Sequence, residues 1–182
     1  MIKIYNIMTL QSPQQIITLL DQNELFQKWF FQHPQAYLSH LFTPLNEQIA
    51  PLSDWELGYF DPTSQKITVF VPLENNDFEI KPADDVFKQE TSTVEALATN
   101  TLNLTLDVLF PLIAEKLKTY FPKEQIGNGF LIIQTLNNIT LYNVTFITRS
   151  IQFINLKINA QTGVLESHQT IELLDKKQPS AN

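Results

Sequence analysis

The stretch from 129 to 174 most constrains the fold of this chain, because strand-like segments follow one another there with short interruptions. These segments cover 130–136, 139–148, 151–160 and 164–174. Side chains with a period of two lie on one face of a strand, and the segments show that period. Asn159, Thr162 and Gly163 lie at the junction of the last two segments. Glycine readily adopts the positive φ of a tight turn. The pattern predicts an antiparallel meander whose last hairpin turns at these three residues.

A helical pattern precedes the meander. Leu109, Ile113 and Leu117 recur every four residues between 107 and 121, and charged residues occupy the other side. Pro122 ends the pattern, since proline cannot continue a helix. We therefore predict an α+β fold in which helices pack on an antiparallel β-sheet, with this helix followed by the C-terminal meander.

The N-terminal region is predicted to begin with two helices. Ser12 and Pro13 form a typical helix start before an apolar stretch that reaches residue 20, and a second apolar helix face follows at 25–30. Prolines at 34, 44 and 51 divide the next stretch. For 36–52 the sequence therefore predicts at best one short helix within irregular chain.

The middle of the chain changes to a strand period. Two aromatic and β-branched runs between 55 and 71 flank the turn residues 61–66, which predicts a β-hairpin. The acidic stretch 74–90 is predicted to be a connector anchored by Val86 and Phe87.

Domain boundaries follow from these patterns. The predicted segments, within one compact domain, are a helical part at 1–53, a hairpin with acidic connector at 54–90, a helix with antiparallel sheet at 91–175 and a disordered tail at 176–182. The polar turns at 61–66 and 159–163 each follow a predicted helix, so two related helix-plus-sheet halves are conceivable. Two ordinary turns would give the same pattern, and the alternative stays open.

Composition excludes several classes of protein. The net charge is −7 and the chain has no cysteine, so phosphate-binding cation clusters and thiol chemistry are both missing. No apolar run approaches the ~18 residues of a membrane span, and the start lacks the apolar core of an export signal. We expect a cytoplasmic protein that contacts neither nucleic acid nor membrane.

Residues for catalysis are sparse. His33, His40 and His168 are the only histidines, and the carboxylate neighbours Asp54/Glu56 and Asp84–Asp85 show no spacing typical of a site. The two close glycines at 127 and 129 precede a strand, whereas a phosphate-binding loop precedes a helix. The sequence predicts no catalytic residue, no metal site and no cofactor, and hence a protein that is not an enzyme.

Aromatic residues suggest a binding surface. Trp29, Phe30 and Phe31 are consecutive, so one narrow helix stripe cannot bury all three rings. Either the helix is enclosed on several sides or one ring faces a partner. We predict that an interface would use these residues together with Tyr37 and Phe42.

The residues from Leu104 to Leu174 resemble the PepSY-like family of small α+β modules, in which an amphipathic helix precedes a short antiparallel sheet. The family's tail, an apolar strand into Asp-Ala-x-Thr-Gly-Val, matches 158–164, with Asn159 in place of the usual aspartate. The hairpin at 55–62 would belong to the first half of a tandem version. The resemblance implies binding or inhibition of peptidases and carries over no catalytic residue.

The function that we expect is therefore a non-enzymatic module that binds a protein or peptide and, by resemblance, regulates a peptidase. Two alternatives stay open. One is an acidic secretion-type chaperone, a class of small, acidic and usually dimeric α+β proteins. The other is a small-molecule binder on a cystatin-like or NTF2-like sheet, which would need a cavity between helix and sheet. The sequence does not set the oligomeric state.

Overall fold

The computed structural model describes residues 10–85 and 93–172. Short 3₁₀ helices occur at Glu74–Asn76 and Thr99–Thr101. The main elements are α1 (Pro13–Asp21), α2 (Glu24–Gln32), β1 (Tyr37–Leu45), β2 (Glu56–Asp61), β3 (Lys66–Pro72), β4 (Phe78–Asp85), α3 (Leu106–Tyr120), β5 (Ile126–Leu136), β6 (Ile139–Thr148), β7 (Gln152–Asn159) and β8 (Leu165–Glu172). None of the helices in the described ranges is long and apolar enough to span a membrane.

The eight strands form one antiparallel sheet with the order β4-β3-β2-β1-β5-β6-β7-β8. Strands β1 and β5 pair in the middle, from His40–Gln134 to Leu45–Gly129. They join two four-stranded meanders, and each meander directly follows helices in the chain: α1 and α2 before β1, α3 before β5. This arrangement confirms the predicted α+β fold and the helix followed by a C-terminal meander, and it places a helix-plus-meander unit in each half.

The two similar turns do not occupy matching places in these halves. Residues 61–66 connect β2 to β3, whereas Asn159–Leu165 connects β7 to β8. In a comparison of the halves, β2–β3 corresponds to β6–β7. The turns share their local geometry all the same, since the amides of Gln65 and Gly163 donate to the carbonyls of Asp61 and Asn159, each at 2.9 Å. The turn similarity is therefore local turn chemistry.

The helices all pack on one face of the sheet. Their buried side chains join those of alternate strand residues in a single apolar cluster. On this face the central strands contribute Leu41, Leu131 and Tyr142, whose side chains are fully buried. The cluster fills the space between helices and sheet, and it therefore holds the two halves together as one core.

The starts of α1 and α2 follow their capping chemistry. Ser12 Oγ accepts a hydrogen bond from the amide of Gln15 at 3.3 Å, and Gln15 Oε1 accepts one from the amide of Ser12 at 3.0 Å. This capping box satisfies donors that a helix start otherwise leaves free. Asn23 caps α2 in the same manner through its side-chain oxygen.

The prediction for 36–52 was wrong, because β1 occupies 37–45 at the centre of the sheet. Pro44 is tolerated there because the pairing with β2 ends at Phe42–Glu56. The Pro44 carbonyl accepts from the amide of Leu52 at 2.9 Å, on the side away from β5. In an antiparallel strand the N–H and C=O of a residue point the same way, so the missing N–H costs no bond to β5.

The acidic stretch 74–90 was also predicted wrongly in part, since β4 occupies 78–85 and forms one edge of the sheet. Phe78 is buried and pairs with Pro72, and Ile80 pairs with Phe70. Phe78 and Ile80 alternate with Glu79 and Lys81, which is the period of a strand. Val86, Phe87 and the predicted tail 176–182 lie outside the described residues.

Candidate functional site: the open sheet face

The sheet face opposite the helices, here called the open face, carries an unusually apolar centre. Six partly exposed side chains of β1, β3 and β5 form what we call the apolar patch: Phe42, Pro44, Val69, Val71, Phe130 and Ile132. Strand register brings the β1 and β5 members together, since Phe42 pairs with Ile132 and Pro44 with Phe130. The Phe42 and Phe130 rings lie 5.9 Å apart. No helix in 10–85 or 93–172 packs on this patch.

A charged pair spans the β3 part of the apolar patch, because its two residues lie on β2 and β4. Lys81 Nζ of β4 contacts Glu56 Oε1 of β2 at 2.6 Å. Glu56 lies beside Phe42 in the register of β1 and β2. The pair is partly exposed, so its contribution to stability is small, but it fixes the position of both charges.

Beside the β5 members of the apolar patch, β6 and β7 carry an amide cluster. Asn155 of β7 is buried, and its Nδ2 donates to Asn143 Oδ1 at 2.7 Å, Thr145 Oγ1 at 2.9 Å and the Val144 carbonyl at 3.1 Å. Asn155 Oδ1 has no hydrogen-bond partner. Beside these residues Lys157 supplies a positive charge. The open face thus has an apolar part on β1 and β5, a smaller one on β3 beyond Glu56, and a polar margin on β6 and β7.

His40 lies next to the apolar patch, and its ring covers the backbone of Gly58. A Cβ at position 58 would overlap that ring, so glycine is required for the ring to lie there. Burial lowers the pKa of His40, and the nearby Glu56 carboxylate partly opposes that effect. The ring is therefore neutral at pH 7.

The five predicted interface residues do not form one surface. Trp29 points into the core, where its ring contacts Phe26, Tyr59 and Phe70 at centroid distances of 6.2, 5.9 and 5.1 Å. On the outer side of α2 the exposed fraction of Phe30 is 38% and that of Phe31 is 86%. Enclosure thus applies to Trp29, while its two neighbours face solvent.

The remaining two interface residues lie on the open face, in β1. Phe42 belongs to the apolar patch. Tyr37 lies near the other end of the strand, where its hydroxyl donates to the Val94 carbonyl at 2.8 Å and its ring contacts Phe60 at 5.6 Å. Phe42 and Tyr37 are therefore separated from Phe30 and Phe31 by the thickness of the core.

Asn159, Thr162 and Gly163 form the turn between β7 and β8. Asn159 Oδ1 accepts from the amides of Gln161 and Thr162 at 3.0 and 3.1 Å, and Thr162 Oγ1 accepts from the amide of Val164 at 3.3 Å. Gly163 has a φ of 74°. The side chains of Asn159 and Thr162 and the backbone of Gly163 thus serve the turn itself, which agrees with a structural role.

The three histidines lie on separate elements: His33 ends α2, His40 is in β1, and His168 is in β8 against the ring of Tyr120 at 4.3 Å. Within the described ranges no three His, Cys, Asp or Glu side chains form a group that could hold a metal. Burial raises the pKa of Asp54, which precedes β2, whereas Glu56 pairs with Lys81 on the open face. The side chains of Asp84 and Asp85 lie outside the description.

A groove is present at the start of α1 and α3, at the helix side of the molecule. It has a volume of about 630 Å³. Leucine, proline and phenylalanine side chains supply most of its wall, including Leu102, Leu104 and Phe110, and Gln14 and Asp107 add polar groups. This groove lies beside the helices. The small-molecule alternative instead requires a cavity between helix and sheet, and the core fills that space.

Two apolar runs in the sequence indicate the apolar patch. In 130–133 four consecutive residues are apolar, and 67–71 is apolar apart from Thr68. A strand with helices on one side and water on the other usually alternates apolar with polar residues. Continuous apolar runs therefore indicate either a second covered face or a binding surface.

No protein-family model matches the chain, and no curated protein matches it. Among solved structures the chain is similar to one titled a "putative lipoprotein" of Clostridium difficile 630, with 12% sequence identity and a TM-score of 0.47. The similarity covers 84% of this chain and 97% of that one.

Proposed function

We propose that this chain is a protein-binding module that holds a folded partner on the open face. The observation that carries the proposal is the apolar patch, which no described helix covers although the opposite face already supplies the core. Contiguous exposed apolar surface on a soluble protein is typical of interaction sites. Phenylalanine is among the residues enriched at such interfaces.

The dimensions of the open face favour a folded protein over a peptide. Eight strands spaced about 4.8 Å apart give a sheet roughly 34 Å wide. With strands of six to eleven residues, such a face can supply the ~800 Å² per partner that a stable protein complex buries. A peptide would instead use a groove or a sheet edge.

The margins of the open face also fit a protein interface. The Glu56–Lys81 pair lies between the β1 and β3 members of the apolar patch, and the Asn143–Asn155 amides lie beside its β5 members. Interfaces commonly combine an apolar centre with a polar rim, and rim charges contribute more to orientation and association rate than to affinity.

The resemblance of 104–174 to PepSY-like modules supports a peptidase as the partner. Helix α3 followed by the meander β5–β8 has the order of elements that the resemblance implies. We therefore propose peptidase regulation without chemistry of its own, and a cytoplasmic location remains a prediction from the sequence.

Capture from an extract tests the binding surface. The baits are the wild-type chain, Phe42→Ser/Phe130→Ser on the open face, and Phe31→Ser, a matched loss of one exposed ring on α2. A protein retained by the wild type and Phe31→Ser but lost from the double variant supports the proposal. Capture that depends on Phe31 and not on Phe42 or Phe130 would overturn it.

The groove at the start of α1 and α3 favours a second candidate, the binding of a small molecule. Its volume of about 630 Å³ lies within the ~300–1,000 Å³ of typical ligand sites, which are mostly apolar with a few polar groups. A screen of small apolar compounds by ¹H–¹⁵N NMR tests this. Shifts confined to Leu102–Pro111 and Ser12–Gln14 would support it, and shifts elsewhere or none would count against it.

The chaperone alternative predicts a dimer. Light scattering of the purified chain separates the two readings, since a strictly monomeric protein would weaken the chaperone alternative and leave the binding module unaffected.

A further inference from the structure

A second cavity lies between α1 and the end of the sheet where β3 leads into β4, on the side that carries the helices. Its volume is about 300 Å³. Its apolar lining includes Ile16 and Phe78, which are buried, and Leu19 and Pro72, which are partly exposed. The exposed residue Glu74 also lines it, so the cavity opens to solvent there. It shares no lining residue with the groove at the start of α1 and α3.

One carboxylate is held in place inside this lining. Asp54 precedes β2, and its Oδ1 accepts from the amide of Trp55 at 2.8 Å. The amide of Gln11 also donates to this carboxylate, and the Gln11 carbonyl accepts from the Trp55 indole at 2.9 Å. Because Trp55 is fully buried, these bonds fix Asp54 relative to the core. A carboxylate offers about four acceptor sites, so Asp54 can still accept hydrogen bonds from a ligand.

The acids of this cavity have no cation beside them. Glu74 joins Asp54 in the lining, and no lysine, arginine or histidine of the described residues does so. The ion pairs of 10–85 and 93–172 use Glu24, Glu56 and Glu115 as their acids, so neither cavity acid takes part in one. Burial raises the pKa of Asp54, as expected for a carboxylate without a counter-ion. A negative charge beside apolar walls therefore awaits compensation.

This combination favours one kind of occupant. A neutral apolar ligand would cover Asp54 and leave its charge unpaired, which is unfavourable. A primary ammonium group instead supplies a compact positive charge with three hydrogen-bond donors. A short alkyl chain on that group would contact the apolar part of the lining. Charge and shape thus point to the same ligand.

We propose that this cavity binds a small primary alkylammonium ligand: Asp54 accepts hydrogen bonds from the ammonium group, and Ile16, Leu19, Pro72 and Phe78 contact the alkyl chain. Glu74, at the exposed end, adds attraction for the cation. The site lies away from the open face, so it is independent of the partner proposed there and of the groove at the start of α1 and α3.

NMR titration of the full-length chain tests the proposal, with n-butylammonium as the probe and butan-1-ol as its uncharged match. In ¹H–¹⁵N spectra the amides of Leu19, Asp54 and Leu73 should shift to saturation with n-butylammonium. Butan-1-ol should bind at least about tenfold more weakly, because it lacks the charged hydrogen bonds. N-acetyl-lysine methylamide should bind no more tightly than n-butylammonium. Tighter binding would overturn the small ligand in favour of a lysine side chain of a protein.

A charge-neutralising variant identifies the residue that binds the cation. Asp54→Asn keeps an oxygen that can accept from the Trp55 amide, yet its affinity for n-butylammonium should fall about tenfold. The control Glu115→Gln, which removes an exposed charge on α3, should bind n-butylammonium as the wild type does.

Four results would overturn the proposal: no saturable shift, shifts confined to Leu102–Pro111, equal affinity of the wild type for butan-1-ol and n-butylammonium, or unchanged affinity in Asp54→Asn. The first three use the wild type alone, so they decide the question even if Asp54→Asn does not fold.

Discussion

Trp29 and Phe31 differ in surroundings although they are two residues apart in α2. Trp29 contacts three core aromatic rings, whereas the exposed fraction of Phe31 is 86%. We expect Trp29→Ala to lower the free energy of unfolding by about 3 kcal/mol, as loss of a packed aromatic ring does. Phe31→Ala should change it by less than about 0.5 kcal/mol. Urea denaturation measures both, and equal losses would contradict the described orientation of α2.

Gly163 offers a second test at the level of one residue. Its φ of 74° costs other L-residues roughly 1–2 kcal/mol, with asparagine the least affected. Gly163→Ala should therefore destabilise the chain by about 1 kcal/mol, and Gly163→Asn by less. Thermal unfolding of both variants checks the order, and an alanine variant as stable as the wild type would refute a strained position.

The stability of the chain should depend on pH through His40. Its pKa is lowered in the folded chain, so below the ordinary value of ~6.5 the unfolded chain binds the proton first. Stability is therefore full above that value and falls as the pH drops through it towards the folded pKa. Urea midpoints at pH 7.5 and 5.5 should differ more in the wild type than in His40→Gln. A larger difference in the variant would reverse the sign of the argument.

At the scale of elements, local patterns predicted what local chemistry controls. The capping box at Ser12, helix α3 and the turn at Gly163 follow from short-range hydrogen bonds and from side-chain period. Strand β1 could not be predicted from such local patterns, because Pro44 suggests a break when only neighbouring residues are considered. Its place in the sheet depends on partners that are distant in sequence, Glu56 and Ile132.

The strand order predicts how protection from hydrogen exchange is distributed. Strands β1 and β5 each pair on both sides at the centre, whereas β4 and β8 are the edges. Amides of β1 and β5 should exchange only through global unfolding, and those of β8 through smaller openings. Native-state exchange by NMR measures this, and a β8 that exchanges as slowly as β1 would indicate that its edge is covered.

For the whole molecule, the sequence indicated that helices pack on an antiparallel sheet. It did not indicate that the sheet has eight strands or which of its faces the helices cover. Of the five predicted interface residues, Tyr37 and Phe42 lie on the open face, whereas Phe30 and Phe31 lie on the opposite side of the core. That separation depends on which sheet face the helices cover. Phe130 and Ile132 come to lie beside Phe42 through the register of β1 and β5, which local sequence does not show.

The measurement that tests the binding surface most directly is photo-crosslinking from single positions. A photoreactive phenylalanine analogue replaces Phe42 or, as the matched control, Phe31, and the chain is irradiated in the cells that produce it. The account predicts a discrete crosslinked protein from position 42 and none from position 31. Crosslinking from position 31 alone, or from neither position, would contradict a partner on the open face.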